Sequence, residues 1–226
     1  MYAKYGKRLL DFVLSLSALI VLSPVLVILT VTGAISMKGN PFFTQKRPGK
    51  NEKIFNLVKF RTMTCEKDHR GNLLPDDVRL TRYGKFLRST SLDELPELWN
   101  ILKGDMSIVG PRPQLVRDMV FMTYEQRRRH TVLPGLTGLA QISGRNNISW
   151  EYKFRYDLAY IDNGITFAGD VRIMLRTVGK VLKRSDVVRE GTQTDMDLGD
   201  WLLTAGSIDM DTYLEKQSSA ETLLQI

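Results

Sequence analysis

The longest apolar run of the chain lies near its N-terminus. No charged residue occurs from Phe12 to Met37, a run of 26 residues. As a straight helix this run would be roughly 39 Å long, enough to cross a hydrocarbon core of about 30 Å. It is too long for the apolar part of a signal peptide. The pattern therefore predicts a membrane-embedded segment over residues 1–38.

A proline interrupts this run at Ser23-Pro24. Pro24 removes one backbone donor and clashes with the carbonyl four residues earlier, so the helix must kink there, and the Ser23 hydroxyl can satisfy a freed backbone group. Basic residues flank both ends, which favours the cytoplasmic side for both. These residues are Lys4, Lys7, Arg8, Lys38, Lys46, Arg47, Lys50 and Lys53. We predict a re-entrant helix–break–helix, with one kinked transmembrane helix as the alternative.

The remainder of the chain alternates between short strand and helix patterns. Residues 53–63 have the β-branched and aromatic content of a strand, and residues 65–77 read as a loop. Apolar residues at helical spacing predict helices over residues 78–90, 95–102, 115–130 and 171–182. Residues 133–145 read as a loop with a short strand. The helix over 78–90 is basic and amphipathic, which is typical of a membrane interface. We predict an α+β fold: a mostly helical small cytoplasmic domain with short strands, the N-terminal re-entrant hairpin and interfacial amphipathic helices.

Charge divides the chain into a basic body and an acidic tail. The net charge is +7, but residues 186–226 carry nine acidic residues against two basic ones, which leaves +14 on residues 1–185. A basic body favours an anionic partner such as nucleic acid, anionic lipid or a phosphorylated substrate. We therefore predict three parts: residues 1–38 in the membrane, a catalytic domain over 39–190, and an acidic C-terminal extension over 191–226.

Cysteine and histidine restrict the chemistry. Cys65 is the single cysteine, so an internal disulfide is excluded, and His69 and His130 are too far apart for metal-ligand spacing. A zinc site or a serine–histidine triad is therefore not expected. His130, in the run RRRH, is predicted to be a solvated residue.

Two adjacent carboxylates, Asp93 and Glu94, stand in the stretch SLDELPELWN. Ser91 and Glu94 match a helix capping box, although that frame puts Pro96 at the fifth helical residue; with Asp93 as the cap, Pro96 falls in the tolerated first turn. Either frame places both acids at a helix N-terminus, which also attracts phosphate. Spacing alone favours capping over catalysis.

Basic residues surround the acid pair in sequence without an acid-balanced helical series. They are Lys59, Arg61, Arg88, Arg112 and Arg145. Arg112 stands between Pro111 and Pro113, which stiffen the backbone around it. A guanidinium held in this way suits bidentate phosphate binding, and a turn in a surface loop is the alternative.

Three stretches, KFRTM, RSTSLDELPELWNILKGDMSIVGPRP and PGLTGLAQISGR, resemble the bacterial sugar transferase family. Its members are small monotopic polyprenol-phosphate phosphoglycosyl transferases. The resemblance extends over about residues 1–190 and includes the Ser-Pro of the apolar run. The stretch RNNISWEYKFRYD is most similar to the enzymes that initiate bacterial N-linked glycans with a diacetamido-sugar phosphate.

The resemblance implies a reaction and a location. A sugar-1-phosphate would pass from a UDP-sugar, an N-acetylated amino or diamino sugar, to undecaprenyl phosphate, releasing UMP. The enzyme would lie in the bacterial inner membrane at its cytoplasmic face, among membrane lipids. It would act without nucleic acid, as a homodimer or beside downstream glycosyltransferases.

The resemblance also implies roles for individual residues. Asp93 would be the nucleophile that forms a phosphoryl-aspartate, and Glu94 would hold Mg²⁺ or handle the proton of the lipid phosphate. Asp93 and Glu94 are thus the implied metal ligands. Arg88 and Arg112 would hold phosphates, with Lys59, Arg61 and Arg145 lining the same site. Asp157 is implied to be structural or near the metal.

Two other functions remain open from the residues themselves. The basic body would suit a membrane-anchored nucleic-acid-binding protein without enzymatic activity, although no helix-turn-helix, zinc-finger or RNP pattern occurs. The acidic tail would suit a scaffold that recruits a basic partner.

Overall fold

The chain begins with two apolar helices joined at a sharp bend. The computed structural model describes residues 1–144, 148–182 and 196–225. A π-helical turn over Tyr2–Gly6 leads into α1 (Lys7–Val21), and α2 spans Ser23–Ser36. The helices bend by 65° at the break; within the described residues, no single helix has the length and apolar content to cross a bilayer, whereas this bent pair together has both.

The bend falls at the predicted Ser23-Pro24 position. Pro24 occupies the first turn of α2, where its missing N–H is tolerated. The Ser23 hydroxyl donates to the carbonyl oxygen of Ile20 at 2.8 Å, so it satisfies an acceptor released by the break.

Two small sheets supply the strands. β1 (Phe42–Pro48) pairs antiparallel with β2 (Ile54–Phe60), so that Phe42 lies opposite Phe60. β3 (Ser107–Val109) pairs in parallel with β4 (Gly135–Thr137). Helices surround both pairs, which confirms the predicted mixture of helix and short strand.

The remaining helices of the described residues are short. They are α3 (Asp76–Arg79), α4 (Arg82–Thr90), α5 (Glu97–Lys103), α6 (Val116–Met119), α7 (Tyr124–Arg127), α8 (Leu139–Ser143), α9 (Trp150–Asp162), α10 (Phe167–Leu182), α11 (Leu198–Thr204) and α12 (Met210–Gln225). The predictions of a strand in residues 53–63 and of helices in residues 95–102 and 171–182 are confirmed.

Two predicted helices are broken by local caps. In residues 78–90, Leu80 is extended and bridges Met63, and the Thr81 hydroxyl accepts the Gly84 amide at 2.9 Å to start α4. In residues 115–130, a capping box between Thr123 and Gln126 starts α7 afresh after α6 has ended. Side-chain caps therefore override the apolar periodicity at both places.

The first apolar helix is part of the core of the domain. Ala18, Leu19 and Leu22 pack against a buried cluster that includes Leu98 and Ile101 of α5. Near the start of α1, Arg8 donates to the carbonyl oxygens of Ile101 at 2.6 Å and Leu102 at 2.8 Å, which satisfies the C-terminal carbonyls of α5. The N-terminal segment and α5 thus form one packed unit.

The C-terminal helices pack back onto the domain. Leu198 of α11 lies in a cluster with Phe121, Trp150 and Phe154. Its amide donates to Asp118 at 2.9 Å. On α12, Ala220 is buried against Val116 and Met119 of α6. Lys216 donates to the carbonyl oxygen of Val120 at 2.9 Å. Residues 196–225 therefore complete the core around α6.

This packing makes a stability prediction for α12. Ala220→Glu should lower the free energy of unfolding by about 3 kcal/mol, because it buries a charge without a partner. Ser218→Glu, on the exposed side of the same helix, adds the same charge and should change it by less than about 0.5 kcal/mol. Thermal melting of both variants checks this; equal shifts would mean that α12 does not pack as described.

Candidate active site

The acid pair lies in a tight turn between α4 and α5. Ser91 ends α4 in the left-handed conformation with φ of 57°, and Leu92–Glu94 form a 3-10 turn. Pro96 then precedes α5 without a side-chain capping bond. The capping interpretation is therefore wrong: α5 begins at Glu97, a turn after the acids, and neither carboxylate caps it. The left-handed Ser91 is the physical reason, because it redirects the chain before the helix can start.

Glu94 is held by two cations. Its Oε1 accepts from Lys59 Nζ at 2.9 Å and from the Arg112 guanidinium, while Lys59 Nζ also lies 3.0 Å from Glu97 Oε1. Burial raises the pKa of Glu94, but Arg112 and Lys59 outweigh burial and hold that pKa well below its usual range. Glu94 is thus an ionised group with a fixed orientation.

Asp93 is in the opposite situation. Within the described residues, its carboxylate forms no hydrogen bond or ion pair, and the side chain is half-buried. Burial, followed by repulsion from Glu94, raises the pKa of Asp93 to about 6, against the pull of Lys59, Arg112 and Arg88. At pH 7 Asp93 is therefore mostly an ionised and poorly solvated carboxylate, which is the state of an activated nucleophile.

Lys59 is fixed by the junction of β2 and α5. Asn100 of α5 accepts the Val58 amide at 3.1 Å and donates to the carbonyl oxygen of Asn56 at 2.8 Å. This buried amide ties the helix to the backbone just before Lys59. Burial lowers the pKa of Lys59, but Glu94 and Glu97 outweigh burial and raise it overall, so the ammonium stays charged.

The other predicted cations differ in position. Arg88 lies near the pair, since its charge lowers the Asp93 pKa, and its Nε donates to the Thr62 hydroxyl at 3.1 Å. The Arg61 backbone amide donates to the Pro41 carbonyl at 2.7 Å. The Arg61 side chain forms no ion pair with the acids among the described residues. Arg145 lies outside the described residues.

Close backbone contact positions Thr62 for Arg88. A Cβ at Gly84 would lie 1.9 Å from the Thr62 carbonyl oxygen, so only glycine lets α4 approach this closely. The glycine therefore brings the helix that carries Arg88 against the end of β2.

The loop that carries Arg112 is anchored to β4. The Gly110 amide donates to the Thr137 carbonyl at 2.8 Å, and the Gly135 amide donates to the Pro111 carbonyl at 2.9 Å. The glycine-rich stretch around residue 135 is therefore a support for the Arg112 loop, in addition to forming a strand.

Two residues behind this loop, Arg129 and His130, were not among the predicted site residues, whereas Asp157 was implied to be structural or near the metal. Arg129 is buried and pairs with Asp157, and His130 is buried as well. The prediction that His130 is solvated is wrong, because the turn at Arg128–Thr131 faces the core. Burial and the neighbouring Arg129 lower the pKa of His130 to about 4, so it is neutral at pH 7. A basic run has no periodicity that would distinguish its buried members.

Within the described residues, no three acidic, histidine or cysteine side chains form a group that could hold a metal ion. The acid pair still suits Mg²⁺, which protein sites often bind through one or two carboxylates together with water and substrate phosphate. Both cation contacts fall on Oε1 of Glu94, so its Oε2 and the Asp93 carboxylate are the donors that fit such an ion.

A half-buried carboxylate without a partner among the described residues, next to a carboxylate held by two cations, is an arrangement that suits chemistry on phosphorylated substrates. The chain belongs to the bacterial sugar transferase family, whose sequence profile matches residues 2–184. The predicted family and the predicted phosphoglycosyl transferase class are thereby confirmed.

Relatives agree with this assignment. The chain is 50% identical over 188 residues to the sugar transferase EpsL of Bacillus subtilis, covering 83% of this chain and 90% of that protein. It is 41% identical over 189 residues to the UDP-glucose:undecaprenyl-phosphate glucose-1-phosphate transferase of Klebsiella pneumoniae, covering 77% of this chain and 39% of that protein. It is also 34% identical over 203 residues to the undecaprenyl-phosphate galactose phosphotransferase of Salmonella typhimurium, covering 80% of this chain and 41% of that protein.

The chain thus spans most of EpsL and about two fifths of the two longer relatives. The alternative of a nucleic-acid-binding protein without enzymatic activity has no support among these relatives.

Proposed function

We propose that this protein transfers a sugar-1-phosphate from a UDP-sugar to undecaprenyl phosphate and releases UMP. The single observation that carries the proposal is Asp93, a half-buried carboxylate without a described partner next to the doubly held Glu94. Relatives named for this reaction type, with glucose or galactose, support it.

The first half-reaction uses Asp93. A carboxylate oxygen forms a bond to the sugar-linked phosphorus while the bond from that phosphorus to the bridging oxygen breaks, and UMP leaves with the electron pair. Arg112 and Arg88 bind the phosphate oxygens and stabilise the charge that develops on them. The product on the protein is a phosphoryl-aspartate that carries the sugar.

The second half-reaction regenerates the Asp93 carboxylate. An oxygen of the lipid phosphate attacks the same phosphorus, and the acyl-phosphate bond breaks to give a polyprenyl-diphosphate sugar. Glu94 stays ionised because two cations hold its pKa low. This suits it to orient cationic groups, whereas a carboxylate of such low pKa is a poor acceptor for the proton of the lipid phosphate. Mg²⁺, when bound by Oε2 of Glu94 and by Asp93, would supply charge neutralisation of the phosphates.

The sugar itself is a finer proposal. The resemblance of residues 145–157 to enzymes of N-linked glycan initiation implies an N-acetylated amino or diamino sugar. The relatives reported above are named for glucose and galactose. A UMP-release screen over UDP-sugars with and without acetamido groups decides between these classes.

The same screen tests the proposed reaction. Protein given a UDP-sugar without lipid should release about one equivalent of UMP and should gain the mass of the sugar phosphate on Asp93. Addition of undecaprenyl phosphate should remove the adduct. UMP release that requires the lipid and leaves no adduct would refute the two-step route.

We also propose that α1 and α2 enter the membrane and leave it on the side of the catalytic domain. Large apolar side chains along both helices are exposed, such as Ile20, Val27 and Ile35. Both helices contact one domain: Arg8, near the start of α1, contacts α5, and the Leu29 carbonyl, midway along α2, accepts from the Tyr83 hydroxyl of α4 at 2.7 Å. Since the acid pair lies between α4 and α5, which contact these two helices, we expect it close to the membrane surface, where a lipid phosphate lies.

A labelling experiment tests the hairpin. Cys65 is the chain's one cysteine and is exposed on the catalytic domain, so it reports the side of that domain. A Lys4→Cys, Cys65→Ser variant should react with an impermeant maleimide only under the conditions that label Cys65 in the unaltered protein. Labelling of the introduced N-terminal thiol from the opposite side would show that the segment spans the membrane.

A further inference from the structure

Donors hold three successive carbonyl oxygens of the Arg112 loop. The Gly135 amide binds the Pro111 carbonyl at 2.9 Å, and Arg129 Nη2 binds the Arg112 carbonyl at 2.6 Å. Arg47 Nη1 lies 3.4 Å from the Pro113 carbonyl, a longer and weaker contact. The loop is therefore fixed from behind through its backbone, while the Arg112 guanidinium faces Glu94 on the other side.

The central donor belongs to a buried ion pair. Arg129 Nε and Nη2 lie 3.0 and 2.7 Å from Asp157 Oδ2, and the two side chains are 1% and 3% exposed. Burying such a pair costs desolvation of both charges, and apolar residues of the same size often stabilise a fold at least as well. Nη1 of Arg129 has no hydrogen-bond partner among the described residues, which adds to this cost. Stability alone is thus a weak reason to place an ion pair here.

The backbone geometry gives a better reason. Pro113 restricts the ψ angle of Arg112 to extended values, and a bond to the Arg112 carbonyl selects one orientation within that range. Fixing that peptide plane fixes the direction in which the Arg112 side chain leaves the loop. Bidentate recognition of a phosphate depends on such a direction.

We infer that Arg129, held by Asp157, is a positioning residue that aims the Arg112 guanidinium at the substrate phosphate. The inference rests on the proposed function, in which Arg112 binds phosphate. Asp157 orients the Arg129 guanidinium and neutralises its charge, so the ion pair connects α9 to the Arg112 loop.

A double-mutant cycle on the full-length protein tests this role. Arg129→Lys keeps the charge that Asp157 needs, but one ammonium replaces the planar fork that reaches both Asp157 and the Arg112 carbonyl. The kcat/KM for UMP release should fall about tenfold or more in Arg129→Lys. In an Arg112→Ala background the same change should lower kcat/KM by less than about twofold, because the side chain that Arg129 aims is absent.

Arg127→Lys is the matched control. Arg127 lies two residues away and forms a bidentate pair with Glu52, at 2.6 Å for both contacts, without touching the Arg112 loop. It should leave kcat/KM within about twofold in both backgrounds. Thermal melting of all variants confirms that assays compare folded protein.

The possible outcomes distinguish a failure of the positioning role from a failure of the proposed function. Equal fold-losses from Arg129→Lys with and without Arg112 would overturn the positioning role while leaving the proposed function intact. A combined Arg129→Met, Asp157→Leu variant removes both buried charges together, which is often tolerated; it should show the same coupling to Arg112, so the test holds even if Arg129→Lys does not fold. Absence of UMP release from the unaltered protein with every UDP-sugar would count against the proposed function instead.

Discussion

Asp93→Asn is expected to lower UMP release by about 10³-fold or more, because an amide cannot form the phosphoryl intermediate. Its neighbours do not supply a substitute nucleophile, since Glu94 is held by Lys59 and Arg112. The variant should also show no mass adduct after exposure to a UDP-sugar. Turnover at the unaltered rate would refute the role of Asp93.

The same substitution is expected to stabilise the folded protein. Since burial and Glu94 raise the Asp93 pKa to about 6, ionised Asp93 disfavours the folded state at pH values above its unfolded pKa of about 3.9. The neutral amide of the Asp93→Asn variant removes this cost, on the order of 1 kcal/mol at pH 8. The advantage should shrink as the pH falls below about 6 and should be lost below about 3.9, where Asp93 is protonated in both the folded and the unfolded state.

Two measurements complete the test of Asp93. In the unaltered protein, kcat/KM should fall as the pH is lowered through about 6, because the free enzyme loses the carboxylate. Glu94 cannot account for a fall in that range, since its pKa lies well below it. Asp77→Asn, at an exposed position, serves as the control and should alter neither the melting temperature nor the rate.

Local sequence signals located much of this fold. Pro24 marked the bend between α1 and α2, and apolar spacing marked α5 and α10. Where side chains cap the backbone, as at Thr81 and Thr123, periodicity gave helices that are too long. A side-chain cap sets the residue at which a helix starts. Apolar spacing does not show this boundary, because it indicates only which residues share a face of the helix.

The site shows the same division. The family resemblance implied a separate role for Asp93, Glu94 and Arg112, but neither it nor the residue types indicated what each side chain contacts. Only the fold shows that Lys59 and Arg112, which come from distant segments, both meet Glu94, while Asp93 forms no hydrogen bond or ion pair with any residue that the structure describes. Arg129 and Asp157 were likewise beyond local patterns, since their burial depends on contacts across 28 positions.

Lys59→Met is expected to cost about 3 kcal/mol of stability at pH 7, because it leaves a buried carboxylate without its cation. Lys59 Nζ lies 2.9 Å from Glu94 and 3.0 Å from Glu97, whose side chain is 1% exposed. Glu94 keeps Arg112 as a partner, but Glu97 has no other ion pair among the described residues. UMP release should also fall by about 10²-fold, since Glu94 loses one of the two contacts that orient it.

The pH dependence identifies Glu97 as the source of this cost. Burial already raises the Glu97 pKa while Lys59 pulls it down, so removing Lys59 raises that pKa further. The destabilisation should therefore be full above the raised folded pKa and should shrink as the pH falls toward the unfolded value of about 4.3.

Lys59→Met combined with Glu97→Gln should recover most of the stability at pH 7 but not the rate, because the amide tolerates burial while Glu94 still lacks its lysine. Lys53→Met, an exposed lysine just before the same strand, is the control; an equal loss there, or a loss in Lys59→Met that does not change with pH, would contradict this account of the buried charges.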